Sequence, residues 1–388
     1  MEVEQFDIII TGSGLAGLSL AYRAIKEGIW QNEKILIIDK EPKVKNDRTW
    51  CFWQNEEVAS PFQDVIYRSW KQLSFFSNEG RQIRLENGRY TYNMIRSIDF
   101  YQHVLSFLSG CRQVTFVYGE IKSIQNIANG GRVDTGQASY QGKYIFNSVY
   151  TKPELSKSDQ YFLQHFKGVT IRTEQLKSSS TEMYLMDYRT SQENGTTFFY
   201  VLPISEQDVF VEYTIFSKTL LQQADYDKKI ADYLTAVLGI TDYQILESEF
   251  GVIPMTDFQF RRRSANIMHI GTIGGDTRAS SGYTFTNTQK TISKILASYR
   301  KHGHPFSITE NINYKHQLLD ATILNVLDNN KYQGHQIFTD LFTNVKAKTI
   351  FSFLDSESTI AEDLQIMGSL KARHFIQPFC YAFLKSFK

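Results

Sequence analysis

The stretch FDIIITGSGLAG near the start of the chain limits the fold more than any other. Residues 6–11, with three isoleucines in succession at 8–10, read as a buried strand. Gly12, Gly14 and Gly17 follow at once, a helical pattern continues through Tyr22 and Ile25, and Gly28 is placed to end it. KILIIDK is a second apolar strand ending in Asp39, 22 residues after Gly17. Strand, glycine turn, helix, strand and spaced acid make a dinucleotide-binding unit. Gly12 allows the tight turn, and Gly14 lets backbone N–H groups approach a pyrophosphate at the helix N-terminus. Gly17 lets helix and strand pack closely, and Asp39 bonds a ribose hydroxyl. The competing reading is a glycine-rich turn in some other βαβ unit. The N-terminal position leans to FAD over NAD, although the spacing fits both.

With 388 residues the chain exceeds what one compact core organises, so two or three subdomains are expected. A formal net charge of +1 without a basic stripe gives no reason to expect nucleic acid. Cys51, Cys111 and Cys380 lack CxxC spacing, which argues against a disulfide framework or a zinc site and fits a reducing cytoplasm. The first residues carry no basic signal region, and no apolar stretch is long enough to span a bilayer, so membrane contact is expected to be peripheral.

Short strands are expected at 73–76 and 82–85, and a helix at 97–109 with Ser97 as its N-cap. A meander with a turn at 129–131 and a buried strand at 142–149 come next, the latter returning to the first sheet. Between 155 and 260, EMYLMDYR, TTFFYVLPI, VFVEYTIFS and EFGVIPM read as a mostly antiparallel second sheet, with a helix near 219–238. A late strand, glycine loop and helix follow, and the remainder is mostly helical. The C-terminal FIQPFCYAFLKSFK is either a packed helix or a foot on a lipid surface.

One carboxylate stands out. Glu212 lies in the middle of VFVEYTIFS, a strand apolar or aromatic on both faces. By parity it shares a face with Phe210, Thr214 and Phe216. A strand glutamate usually meets water or an arginine. In a dry aromatic pocket its charged form is instead destabilised and its pKa raised, which makes it a proton donor at neutral pH. Trp50, Phe52 and Trp53 are further candidate pocket liners. Arg48 either contacts a cofactor or pairs with Asp47. Asp257 is a second acid or a turn aspartate, and His269 reads as a core histidine.

GSGLAG with ILIIDK, NDRTWCFW, FVEYT, and GVIPM followed by GTIGGDTRASSGYTF occur in this order. Together they make the chain resemble the FAD-dependent lycopene β-cyclases of carotenoid-making bacteria and plants. In that family a Phe-Leu-Glu-Glu-Thr type strand carries the essential acid, and Glu212 takes the place of its first glutamate, with Tyr213 replacing the second. The resemblance implies an α/β (α+β) fold. Residues 1–70, 96–152 and 262–302 would form a Rossmann-like FAD-binding domain. Residues 71–95 and 153–261 would form an inserted antiparallel-sheet substrate domain, and 303–388 a helical C-terminal region. Gly274, Gly275, Asp276 and Gly282 would touch the cofactor from its other side, with Asp276 on the ribityl chain. The implied reaction is a non-redox closure of the ψ ends of lycopene, or related carotenoids, to β-ionone rings. It needs FAD in its reduced form, with NAD(P)H only as an indirect reductant. Competing readings are a redox flavoprotein of the same fold, such as a hydroxylase or geranylgeranyl reductase, and a non-catalytic carrier.

Overall fold

The computed structural model describes residues 3–176, 179–308 and 314–386. An eight-stranded sheet is built around Glu4–Thr11, which pairs in parallel with Ile35–Asp39 on one side and Ser139–Asn147 on the other. Val114–Tyr118 and Ile267–His269 extend the parallel run at its two ends. Strand parity sorts the side chains. Ile8 and Ile10 pack with the helices Leu15–Lys26, Ser97–Ser109 and Phe285–His302, whereas Ile9 packs with Val133 of the meander. With both faces covered, the centres of the first two strands, 8–10 and 35–38, have no polar side, which is why they read as unbroken apolar runs.

The second sheet has seven strands, in the order Gln244–Thr256, Tyr161–Arg172, Asp208–Ser217, Thr196–Pro203, Glu182–Asp187, Gln72–Phe76 and Gln82–Arg84. It is antiparallel except where Glu182–Asp187 meets Gln72–Phe76. A third sheet of Thr49–Asn55, Tyr90–Arg96 and Arg68–Trp70 adds a further layer. The helices Tyr314–Asp328, Gly334–Asn344, Ala347–Leu354 and Ile360–Gly368 contribute Leu324, Phe342, Ile350, Phe351 and Ile366 to the aromatic core on one face of the second sheet, and Ile376–Lys385 follows them. Among the described residues no helix is long and apolar enough to cross a membrane.

Two expectations need correction. The strand Tyr161–Arg172 was not anticipated, although it lies between Gln244–Thr256 and Asp208–Ser217. Its sequence, YFLQHFKGVTIR, is broken by polar residues that find partners only in the tertiary structure. His165, for example, is buried between Ser217 Oγ and Tyr226 OH. Ser97 is not an N-cap, because Arg96 holds that position. Its Oγ accepts the backbone N–H groups of Asp47 at 2.9 Å and Arg48 at 3.0 Å, and so ties the NDRTW loop to the helix.

Candidate active site

The strand Asp208–Ser217 presents two different faces. Val209, Val211, Tyr213 and Ile215 pack with Tyr226, Ile230 and Tyr233 of the helix Gln223–Tyr233. Phe210 and Phe216 join the aromatic core on the other side. Glu212 belongs to this second face and is only 9% exposed. Burial pushes its carboxyl up, the nearby negative charge of Glu249 adds to this, and the Thr214 hydroxyl opposes them by donating to Oε1 at 2.6 Å. The outcome is a carboxyl raised to about 8. Glu249 is itself lifted to about 7 by burial, against the Thr49 hydroxyl that donates to it at 2.5 Å and the charge of Arg48.

Glu212 lines a cavity of about 780 Å³ that also contains Gly12, Gly14, Asp39 and Arg48. The acid and the glycine turn therefore share one space. A second cavity, of about 420 Å³ and almost wholly apolar, runs from Trp53 and Phe216 to Phe351, Ile376 and Phe379 of the C-terminal helices. Tyr200, Ser281 and Tyr283 line both cavities. Tyr200 is the cross-strand partner of Glu212. The Tyr283 hydroxyl lies 2.9 Å from that of Tyr92 and 3.4 Å from that of Tyr200. Aromatic side chains thus stand beside the buried acid in the wall that the two cavities share.

The glycine turn fits a dinucleotide. A Cβ on Gly17 would strike the Gly12 carbonyl oxygen and Ile10, so helix and strand touch only because it is absent. Around Gly14, the N-cap residue, the space is open and no side chain caps the helix. Asp39 lines the same cavity, and burial pushes its carboxyl up. The Ser13 N–H, at 2.6 Å, and Lys43 outweigh this and hold it ionised below its ordinary range. Gln164 Oε1, buried and without a hydrogen-bond partner among the described residues, belongs to another residue of that cavity.

Other candidates are placed differently. In Thr49–Asn55 the odd residues Thr49, Cys51 and Trp53 serve the site. Trp50 borders the large cavity while packing on Phe100, and Phe52 is stacked on Phe285 within the nucleotide-domain core. Thr214 is fully buried and acts on Glu212 rather than lining a cavity. Arg48 does not pair with the Asp47 carboxylate. It donates to the carbonyls of Asp47 and Phe250. From the late loop, Gly282 lines the large cavity, but Gly274 and Gly275 border a separate polar pocket, and Gly271 and Thr272 take their expected place. Asp276 is buried and lines none of the large cavity, its carboxylate accepting from Arg262, Thr291 and the Gly271 N–H. Asp257 is a latch to the C-terminal helix through Lys385 at 2.8 Å, and His269 is a half-buried partner of Asn147. Glu249 and the tyrosines were missed. Glu249 is aligned with Glu212 only through the unanticipated strand Tyr161–Arg172, and Tyr283 comes from the late loop folding back, whereas Tyr200 lies directly across the anticipated strand pair.

The family model described as "Lycopene cyclase protein" matches residues 7–379. The chain belongs to the lycopene cyclase family. Among its relatives, the chloroplastic neoxanthin synthase of Solanum lycopersicum is 24% identical over 316 residues, 76% of this chain. The lycopene beta-cyclase of Pantoea ananas is 25% identical over 258 residues, 65% of this chain and 63% of that one. The chain spans 60% of the length of the first of these relatives. Among solved structures, a geranylgeranyl bacteriochlorophyll reductase-like protein from Thermoplasma acidophilum is similar over 98% of this chain and 100% of its own, with a TM-score of 0.62 and 10% identity. That likeness establishes the shared fold, a Rossmann-like unit with an added sheet and C-terminal helices. In this member of the cyclase family Tyr213 packs on Phe199 at 4.9 Å on the face opposite Glu212. A carboxylate at 213 would point away from the cavity.

Proposed function

We propose that this chain is a lycopene β-cyclase, closing the ψ ends of lycopene to β-ionone rings by way of γ-carotene to β-carotene, without net oxidation. The observation that carries this reading is the carboxyl of Glu212, raised to about 8 by burial and lying in a cavity that shares the wall of Tyr200, Ser281 and Tyr283 with an apolar one. Protonating an alkene requires an acid that is neutral at working pH, and Glu212 meets that requirement. Thr214, bonded to Oε1, fixes the carboxyl's orientation and leaves Oε2 for the proton. The terminal alkene takes that proton, the resulting tertiary cation is attacked by an internal double bond, and loss of a different proton completes the ring. Trp53, Tyr200 and Tyr283 offer ring faces to the cation, each worth about 0.5–2 kcal/mol. The apolar lining excludes water that would trap it.

Gly12, Gly14, Asp39, Arg48 and Gly282 would hold FAD. In its reduced, anionic form it supplies charge that stabilises a nearby cation. NAD(P)H enters only as an indirect reductant. The substrate dissolves in lipid rather than water. The apolar cavity is lined at its far end by Met367, Ile376 and Phe379, and these are exposed beside Leu364, Tyr381 and Leu384. With Lys371 and Arg373 nearby in sequence, these residues form a surface suited to resting on a bilayer. The expected location is thus cytoplasmic and peripheral to the membrane. Redox flavoproteins share the fold, so flavin stoichiometry separates the readings. Under anaerobic conditions, with reduced FAD and lycopene in liposomes, cyclised product should accumulate over many turnovers while the flavin stays reduced. Oxidation of one flavin per product would refute the reading.

A further inference from the structure

We propose that Glu249 is the proton port of the site, the second carboxyl through which Glu212 exchanges its proton with solvent while the large cavity is filled. The inference rests on Glu212 being the acid. Glu249, Gly168 and Glu212 are aligned across three neighbouring strands. Both carboxyl side chains therefore leave the same face, with their backbones two strand spacings, or about 10 Å, apart. Gly168 between them has no side chain, and a Cβ there would meet the Phe210 ring and Glu249 Cγ. Glu212 belongs to the large cavity. Glu249 borders a polar groove of about 290 Å³ that also includes Arg96, Thr170, Arg172 and Asp208. Thr49 and Phe210 line both spaces, so they form the partition.

The groups around this partition suit proton transfer. Thr49 Oγ1 donates to Glu249 Oε2 at 2.5 Å. The half-buried Cys51 lines the large cavity with Glu212 and Thr49, and its thiol is pushed up by burial and by both carboxylates. Arg48 and Asp47 act on Glu249 from the preceding loop with opposite signs. With carotenoid and cofactor in place, the large cavity offers Glu212 little contact with water. In each closure the proton of Glu212 becomes a new C–H bond at the terminal alkene carbon. The proton lost as the ring alkene forms returns to the Glu212 carboxylate, so atoms and charge balance. Glu249 then trades that returned proton for one from water in the groove before the second end closes.

The test uses the full chain with reduced FAD and lycopene in liposomes made up in D2O, with the two-ring product weighed by mass spectrometry. Wild type should place one deuterium in each ring. Glu249→Gln should still close rings but reuse the proton released by the first closure, so that much of its product carries a single deuterium, and Glu249→Asp should restore the second. Two deuteriums in the Glu249→Gln product, as in wild type, would overturn the proposal. If Glu249→Gln does not turn over, the exchange is read without turnover. The infrared carbonyl band of Glu212 should then shift on transfer to D2O more slowly than in wild type when β-carotene fills the cavity, and equal rates would overturn it. Wild-type turnover by Glu212→Gln would instead remove the acid assignment on which the proposal rests.

Discussion

Replacing Glu212 by Gln should stabilise the protein, and increasingly so as pH rises. The folded chain holds this carboxyl's proton up to about pH 8, whereas the unfolded chain releases it near the ordinary 4.5. Across that window the unfolded state binds fewer protons, so the group's contribution to stability falls with rising pH and levels off above about 8. At about 1.4 kcal/mol per pH unit the full interval is worth about 5 kcal/mol, and sharing of the titration with Glu249 brings the expected gain to about 2–5 kcal/mol. Gln has a similar shape and does not titrate. For a chain of this length about 1 °C accompanies each kcal/mol, so a difference in Tm of about 2–5 °C should develop between pH 5 and pH 8.5. Thermal unfolding of both proteins at a series of pH values measures it. A constant difference over that range would show that the carboxyl is not buried in its neutral form.

Other substitutions probe the cofactor turn, the aromatic junction and the lipid face. Gly17→Ala forces a Cβ onto the Gly12 carbonyl and Ile10, which should cost about 1–3 kcal/mol and strip bound flavin on gel filtration. Gly14→Ala, with open space around it, should cost less stability. Tyr283→Phe keeps the ring and should change the cyclisation rate little. Tyr283→Leu removes about 0.5–2 kcal/mol of cation stabilisation and should slow it by about 2- to 30-fold. Ile376→Asp and Leu384→Asp alter exposed positions, so Tm should hold while liposome co-sedimentation weakens by at least about 10-fold.

The parts of the fold that were legible in the sequence are those where one rule acts alone. The first parallel strands are buried on both faces at their centres, so FDIIIT and KILIID carry the unbroken apolar runs 8–10 and 35–38. The burial of Glu212 was legible because both faces of VFVEYTIFS are apolar or aromatic, and its reading as the acid came from the resemblance. The rest was set by contacts between distant segments. Tyr161–Arg172 is polar at His165 and Lys167, whose partners lie on Ser217, Tyr226 and Asp227, so its strand pattern is masked. Phe52 and Trp53 look equivalent in sequence, yet strand parity sends one to the nucleotide-domain core and the other to the apolar cavity. Asp276 sits beside two glycines as a ligand would, but Arg262 and Thr291 claim its carboxylate.

The measurement that bears most directly on the account is anaerobic cyclisation of lycopene by wild type and Glu212→Gln side by side, with reduced FAD in liposomes and matched protein and flavin content. A neutral carboxyl that delivers the first proton predicts one- and two-ring products from wild type and a rate at least about 100-fold lower from the variant. Cyclisation by Glu212→Gln at the wild-type rate would contradict it.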